Sequence, residues 1–219
     1  SDFYEQEEIA NADILFVIDN SCSMNGHQTN LKNNFASFIG VFAGSGVDYQ
    51  IAFITTDNEN FVDNKIVHST DPDPIGDVTA IIDGIGIHGS GLERGLWESY
   101  EATQTGKDAG PGSAFLRNDS RLVIVYLSDE RDGSGTYSSM THGDYASHLL
   151  TLKSSADQLS VNAVAGDHPT GCSPPWAQHG AGYYEVVHQL GGTFMSICAT
   201  DYGLQLDTLA RDSILLSAF

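Results

Sequence analysis

Acidic side chains follow the apolar segments of this sequence at regular places. Four short apolar runs are each followed by an aspartate, namely Asp19, Asp57, Asp129 and, one glycine later, Asp167. If these runs are parallel strands, their carboxyl ends meet at one edge of a sheet, where α/β proteins bind ligands. Carboxylates gathered there repel one another unless a cation neutralises them, and hard divalent cations take oxygen ligands. The pattern predicts a cation site, although any one Asp alone is more commonly a turn or helix-cap residue.

The first of these segment ends has the most informative spacing. Residues 19–23 read D-x-S-x-S, placed between an apolar run and an amphipathic segment. Asp19 offers a charged oxygen, and Ser21 and Ser23 offer neutral hydroxyl oxygens that alternate spacing in a turn directs to one point. The alternative is that one of the serines only caps the following helix. We expect the three side chains to bind a divalent cation together.

The elements needed to position these residues can be read from hydrophobic spacing. Continuous apolar runs are typical of buried parallel strands, and spacing of three and four residues is typical of helices. Strands are predicted at Ile14–Ile18, Ile51–Thr55, Leu122–Leu127, Val161–Ala165 and Thr193–Ile197, with a short edge strand at Ile66–His68. Helices are predicted at Gln28–Phe42, Leu92–Tyr100, Tyr145–Ala156, Tyr183–Leu190 and Leu204–Leu216. The alternation predicts a single α/β domain over residues 1–219, with a doubly wound, mostly parallel six-stranded sheet flanked by helices.

These motifs together resemble the metal-ion-dependent adhesion site of von Willebrand factor A and integrin I domains, over nearly the whole chain. Asp19, Ser21 and Ser23 match the first loop of that family. Residues 89–96 resemble the second loop, where the family usually has a threonine and this sequence has Ser90. Asp129 matches the aspartate that follows the fourth strand of the family. The segments around the cysteines look like bacterial secreted or surface members.

The resemblance implies a function as well as a fold. Such domains hold one divalent cation, for which we expect Mg²⁺ first, with Ca²⁺ or Mn²⁺ as alternatives. The protein ligands leave one position open, and the carboxylate of a partner occupies it. The resemblance therefore implies cation-dependent adhesion or protein recognition, without a catalytic role, outside the cell or at its surface, the periplasm included. The loops Asn58–Asp77, Gly133–Gly143 and Asp167–Gly182 are expected to form the rim of the site.

Charge and composition exclude several other classes of partner. The 219 residues carry 29 Asp plus Glu against 9 Lys plus Arg, a net charge of −20. Such a charge repels nucleic acid and anionic membrane surfaces, although it also serves solubility alone. No apolar run approaches the roughly 20 residues that span a bilayer, so direct membrane insertion is not expected. The N-terminus lacks a signal-peptide pattern, which is typical of a mature fragment or an excised domain.

The three cysteines allow two interpretations. Cys172 and Cys198 fall in a loop and at a strand end, where a disulfide could close the intervening segment and indicate an oxidising compartment. Alternatively, His168, Cys172, His179 and Cys198 could bind zinc, although their spacing matches no compact zinc motif. Cys22 is expected to be free and buried beneath the metal loop.

Two rival functions remain open from the sequence. A metal-assisted hydrolase would need a general base, for which His88 and His168 are the candidates. An intracellular subunit of an ATPase-driven assembly would share the fold and the site, and a disulfide between Cys172 and Cys198 would count against it. Residues 84–89 also match G-x-G-x-x-G, but the motif does not follow a strand and open a helix as a dinucleotide site requires.

Overall fold

The computed structural model describes residues 11–173, 176–199 and 202–214. The ends of the predicted domain, the Pro174-Pro175 pair and the last two residues of the predicted C-terminal helix lie outside these ranges. The described strands are β1 Asn11–Ile18, β2 Asp48–Thr55, β3 Val67–His68, β4 Arg121–Ser128, β5 Leu159–Ala165 and β6 Phe194–Ser196. The described α-helices are α1 Asn25–Ser45, α2 Pro74–Ile85, α3 Gly95–Ala102, α4 His142–Leu150, α5 Tyr183–Gln189 and α6 Gly203–Ile214.

The six strands form one sheet in the order β3-β2-β1-β4-β5-β6. All neighbouring pairs are parallel except β2 and β3, which are antiparallel. Ile18, the last residue of β1, lies level with Thr55 of β2 and Leu127 of β4. The carboxyl ends of these three strands therefore meet at one edge, as the aspartate pattern predicted. The predicted α/β class with a mostly parallel six-stranded sheet is confirmed.

Helices cover both faces of the sheet because successive strand side chains point to opposite sides. In β1, Ile14, Phe16 and Ile18 belong to one buried cluster with side chains of α1, α2 and α6. Leu15 and Val17 belong to a second cluster with side chains of α3, α4 and α5. Burial on both faces explains why β1 reads as a continuous apolar run. It also fixes the backbone at the strand end from which the loop of Asp19, Ser21 and Ser23 begins.

Helix α2 was not predicted, and one of the expected rim loops is wrong in part. Pro74 occupies the first turn of α2, and the Asp73 carboxylate caps that turn by accepting a hydrogen bond from Gly76 N at 3.0 Å. Pro at the first helical position and Asp before it are favourable helix-start residues. The segment 58–77 also contains β3, which pairs with Gln50 and Ile51 in the first half of β2. This part of the segment lies away from the strand ends and cannot form their rim.

Within the described ranges, no helix is both long and apolar enough to cross a membrane.

Candidate metal centre

The loop after β1 is organised around the buried carboxylate of Asp19. Its Oδ1 accepts a hydrogen bond from Ser21 N at 2.8 Å, and its Oδ2 accepts one from the Ser128 hydroxyl at 2.7 Å. The Asp19 backbone N–H continues the strand ladder by donating to Leu127 O at 2.9 Å. Asp19 therefore joins the ends of β1 and β4 and holds the turn that carries the two serines.

A chain of hydroxyl groups leads from this turn to the second strand end. The hydroxyls of Ser21 and Ser23 are hydrogen-bonded at 3.0 Å, and the Ser23 hydroxyl donates to Asp129 Oδ1 at 3.1 Å. Four of the five predicted ligands, Asp19, Ser21, Ser23 and Asp129, thus lie in one network at the carboxyl ends of β1 and β4. Their oxygen atoms are the donors that Mg²⁺ and Ca²⁺ prefer, so this set fits a divalent cation.

Ser90, the fifth predicted ligand, lies in the neighbouring loop but outside that network. Its backbone N–H donates to Asp57 Oδ2 at 3.0 Å, and its exposed hydroxyl accepts from Leu92 N at 3.0 Å. No hydrogen bond among the described residues joins the Ser90 hydroxyl to Ser21, Ser23 or Asp129. The two loops are nevertheless held together, because Gly89 N donates to Asn20 O at 2.8 Å.

Asp57 connects the loops and is not assembled with the other strand-end acids. One of its oxygens accepts from Thr55 Oγ1 at 2.7 Å and Asn20 Nδ2 at 3.2 Å, and the other accepts from Ser90 N. Burial by itself would raise the pKa of Asp57, but these hydrogen bonds and the charge of Arg94 outweigh it and lower the pKa. This ionised carboxylate, with both oxygens hydrogen-bonded, holds the two loops together.

Glu93 is a buried acid at the site that the sequence did not single out. Its side chain is 1% exposed, and its Oε2 accepts a hydrogen bond from the Thr56 hydroxyl. Its Oε1 is buried and has no hydrogen-bond partner. Its carboxyl group also comes within hydrogen-bonding reach of Asp19, which requires a proton on one of the two. The sequence does show this acid three residues after Ser90. Its role depends on contact with Asp19, which is distant in the chain, so spacing alone could not identify it.

Burial and mutual repulsion raise the pKa values of the clustered acids. Burial, followed by the negative charge of Asp19, raises the pKa of Glu93 to about 8 and that of Asp129 to about 6. Burial also raises the pKa of Asp19, against the hydrogen bonds from Ser21 and Ser128. The pKa of Glu130 is raised by burial and then by Asp19. Each shift shows that the hydrogen bonds and charges around these carboxylates do not offset their burial and mutual repulsion.

The acidic segment after Asp129 caps the start of α3. Asp132 Oδ1 accepts from Leu96 N at 3.1 Å, and the Ser134 hydroxyl accepts from Trp97 N at 2.8 Å. Ser134 in turn donates its N–H and its hydroxyl to Asp132 at 3.0 and 2.8 Å. The two residues therefore satisfy amide groups at the start of α3, which no residue of α3 itself can satisfy.

The predicted disulfide is confirmed, and one prediction for the cysteines is wrong. Cys172 and Cys198 are bonded, with their Cα atoms 6.2 Å apart. Cys22 is free as predicted, but it is exposed and not buried under the metal loop. The loop turns Met24 inward in its place, where this side chain is fully buried.

A second group of metal-ligating residue types lies around the disulfide. The Asp167 carboxylate and the sulfurs of Cys172 and Cys198 lie within 4.8 Å of one another, and the described residues contain no other such set of three His, Cys, Asp or Glu. Disulfide sulfurs are not thiolates and bind cations poorly, so a zinc site there is not supported. Among the described residues, Asp167 groups with the disulfide sulfurs and forms no hydrogen bond with the Asp19 network.

The loop after β5 borders the network. Gln178 N donates to Asp129 O at 2.7 Å, and Asp132 N donates to Ala181 O at 2.9 Å. Within the same loop, Cys172 and Ala177 form an isolated antiparallel bridge, and Trp176 beside it is 81% exposed. A cleft of about 350 Å³ opens between this loop and the second loop, lined among others by Glu93, Glu130 and Gln178. The predicted rim segment 167–182 thus does reach the site.

Comparison with known proteins identifies no family for this chain. No protein-family model matches it, and no curated protein matches. Among solved structures, it is similar to proximal thread matrix protein 1 from the mussel byssus, with 15% sequence identity and a TM-score of 0.48. The similarity covers 94% of this chain and 45% of that chain, so this chain spans less than half of it.

Proposed function

We propose that this chain is a von Willebrand factor A-type domain with a doubly wound sheet, which recognises an acidic group on a partner protein through one bound divalent cation. The observation that carries the proposal is the hydrogen-bonded network of Asp19, Ser21, Ser23 and Asp129 at the meeting ends of β1 and β4. Asp19 and Asp129 would supply the negative charge that attracts the cation. Ser21 and Ser23 would add neutral oxygens, which hold an ion without cancelling its charge.

The charge of the whole chain makes the cation necessary for such a partner. At a net charge of −20 the protein repels an acidic partner, although salt near 0.15 M screens this repulsion beyond about 8 Å. A local positive centre can reverse it at contact distance. A partner carboxylate that reaches the cation gains a charge-assisted interaction in a partly dry site.

The disulfide between Cys172 and Cys198 supports an extracellular, cell-surface or periplasmic location over an intracellular assembly role, since cytosolic thiols are kept reduced. The proposal assigns no catalytic role. Of the two histidines considered for a hydrolase, the ring of His168 is stacked on Tyr184 with 3.8 Å between centroids. A stacked ring is held by packing and not by a carboxylate that would orient it as a base.

The test is a pull-down and affinity measurement with a partner selected from extracellular proteins. Binding should be lost in EDTA, restored by added Ca²⁺ or Mg²⁺, and lost in Asp129→Ala. Neutralising one particular Asp or Glu of the partner should have the same effect. Asp119→Ala, which changes an acid on the opposite end of the sheet near Asn11, is the matched control and should bind normally. A partner that binds this face equally well in EDTA would contradict the proposal.

A further inference from the structure

The buried carboxyl group of Glu93 is not compensated by the residues around it. Thr56 donates one hydrogen bond to Oε2, and no N–H or hydroxyl group of the described residues donates to the buried Oε1. The neighbouring acids Asp19 and Glu130 both act on Glu93 with negative charge. A buried ionised carboxylate is costly unless a cation or hydrogen bonds satisfy it. In the described structure, the Thr56 hydroxyl satisfies only one of the two Glu93 oxygens.

The basic residues nearby are committed elsewhere. Arg94 forms a salt bridge with Glu98 at 3.0 Å, donates to Asp57 O at 3.0 Å, and stacks over Tyr137 at 3.9 Å. Arg131 lines the same cleft and lowers the pKa of Glu130, not that of Glu93. Among the described residues, no salt bridge reaches Glu93. Among the described residues, only the Thr56 hydroxyl and a proton shared with Asp19 compensate the Glu93 carboxyl group, and a cation bound there would replace that proton.

Glu93 lies directly beside the candidate metal centre. The carboxyl group adjoins Asp19, whose two oxygens already accept hydrogen bonds from Ser21 and Ser128. Asp129 also retains one oxygen that accepts no hydrogen bond from another residue's side chain in the described network. Glu93 and Asp129 therefore each have an oxygen atom that is available to a cation, whereas both oxygens of Asp19 already accept hydrogen bonds.

We propose that Glu93 is a third carboxylate ligand of the cation and that it makes the centre select Ca²⁺ over Mg²⁺. This inference rests on the proposed function, because it concerns the same centre. Ca²⁺ takes six to eight oxygens at about 2.3–2.6 Å in variable geometry, whereas Mg²⁺ demands near-octahedral geometry at about 2.0–2.1 Å and usually keeps several waters. Three carboxylates and two hydroxyls supply more protein oxygens and more negative charge than the one or two carboxylates that usually bind Mg²⁺.

The three carboxylates would have to move closer together on binding. Asp19, Glu93 and Asp129 do not bring three carboxylate oxygens within 4.8 Å of one another in the described structure. A cleft of about 350 Å³ lies beside Glu93 and Glu130, where water molecules could complete the shell of a bound Ca²⁺.

The experiment is calorimetric titration of Ca²⁺ and Mg²⁺ into the wild type, Glu93→Gln and Glu98→Gln. Glu98 is the matched control, a buried glutamate close in sequence that is paired with Arg94. The wild type should bind Ca²⁺ more tightly than Mg²⁺. Glu93→Gln should weaken Ca²⁺ binding by about 10- to 100-fold, the range seen when supporting groups of a metal site are removed, and should weaken Mg²⁺ binding much less. Glu98→Gln should keep the wild-type ratio.

A second readout does not depend on how the variant folds. In wild-type protein labelled with ¹³C at the glutamate side-chain carboxyl, one resonance should shift on addition of Ca²⁺. The metal-free Glu93→Gln protein should unfold at a temperature close to that of the wild type, since Gln has nearly the size and the hydrogen-bonding capacity of the protonated carboxyl group. An unshifted glutamate spectrum, or an unchanged Ca²⁺-to-Mg²⁺ ratio in Glu93→Gln, would overturn the role of Glu93 and leave the proposed function standing. Absence of any cation binding by the wild type would overturn both.

Discussion

Two kinds of acidic side chain lie at the carboxyl ends of the strands, and their hydrogen bonds distinguish them. Asp57 and Asp132 accept several hydrogen bonds each and hold loops or a helix start in place. Asp129 and Glu93 accept few. Acids of the second kind have capacity left for a ligand. This difference, and not acidity alone, locates the candidate metal centre.

Variants of Ser90 test whether the loop of residues 89–96 contributes a ligand to the candidate metal centre. Its hydroxyl now accepts from Leu92 N, and a rotation of this exposed side chain could redirect it to a cation. We expect Ser90→Ala to weaken cation binding and Ser90→Thr, which keeps the hydroxyl, to preserve it. Calorimetry of the two variants in parallel measures this. Unchanged affinity in Ser90→Ala would show that the hydroxyl only closes the turn at Leu92.

The sequence predicted only part of the candidate metal centre. Asp19, Ser21 and Ser23 are close in the chain, so one turn brings them together, and Asp129 follows the adjacent strand. Glu93 could not be recognised in the same way, because its unusual state arises from burial against Asp19. The exposure of Cys22 was also missed, since the direction in which each residue of a short turn points is not set by hydrophobic spacing.

At the scale of elements, the strands were predictable because both faces of the sheet are covered. Burial on both sides requires continuous apolar runs, and these mark β1, β2, β4 and β5 with little ambiguity. No helix was predicted at α2, because proline disrupts helix interiors and two prolines lie in residues 71–74. Pro74 in fact begins a helix after the Asp73 cap, and the apolar residues Val78, Ile81 and Ile82 of that helix are buried.

The start of α3 offers a prediction about how the second loop is held. Asp132→Ala removes the acceptor of Leu96 N and the partner of Ser134, so it should lower the free energy of unfolding by about 1–2 kcal/mol. Urea denaturation of Asp132→Ala against Thr141→Ala, which removes an exposed cap of α4, measures the difference. We expect the buried cap at α3 to cost more than the exposed cap at α4. Equal or smaller loss in Asp132→Ala would show that α3 does not depend on this contact.

The buried acids make the stability of the whole molecule depend on pH and on the cation. Burial raises the pKa of Glu98 to about 7, and those of Glu93 and Asp129 are raised as well. A carboxyl whose pKa is higher in the folded state binds more protons there than in the unfolded chain. Its contribution to stability is therefore present at low pH and lost as pH rises through the folded pKa, at about 1.4 kcal/mol per pH unit for each proton.

We therefore expect the metal-free protein to lose stability as the pH rises from about 5 to about 8, the window that these raised pKa values define. Saturating Ca²⁺ should remove the part of this loss that comes from Glu93 and Asp129. The parts from Glu98 and from Asp132, whose pKa burial raises to about 6, should remain. Urea denaturation across this range, in EDTA and in Ca²⁺, checks both statements. Stability in EDTA that is constant or increases with pH would contradict the assignment of these shifts.

The central claim is that the network of Asp19, Ser21, Ser23 and Asp129 binds one divalent cation. The most direct measurement is isothermal titration of Ca²⁺ and Mg²⁺ into the wild type and into Asp129→Ala, with Asp119→Ala as the control at the other end of the sheet. We predict one saturable cation per chain in the wild type and the control, and loss of that binding in Asp129→Ala. Equal cation binding by all three proteins, or none by the wild type, would contradict the account.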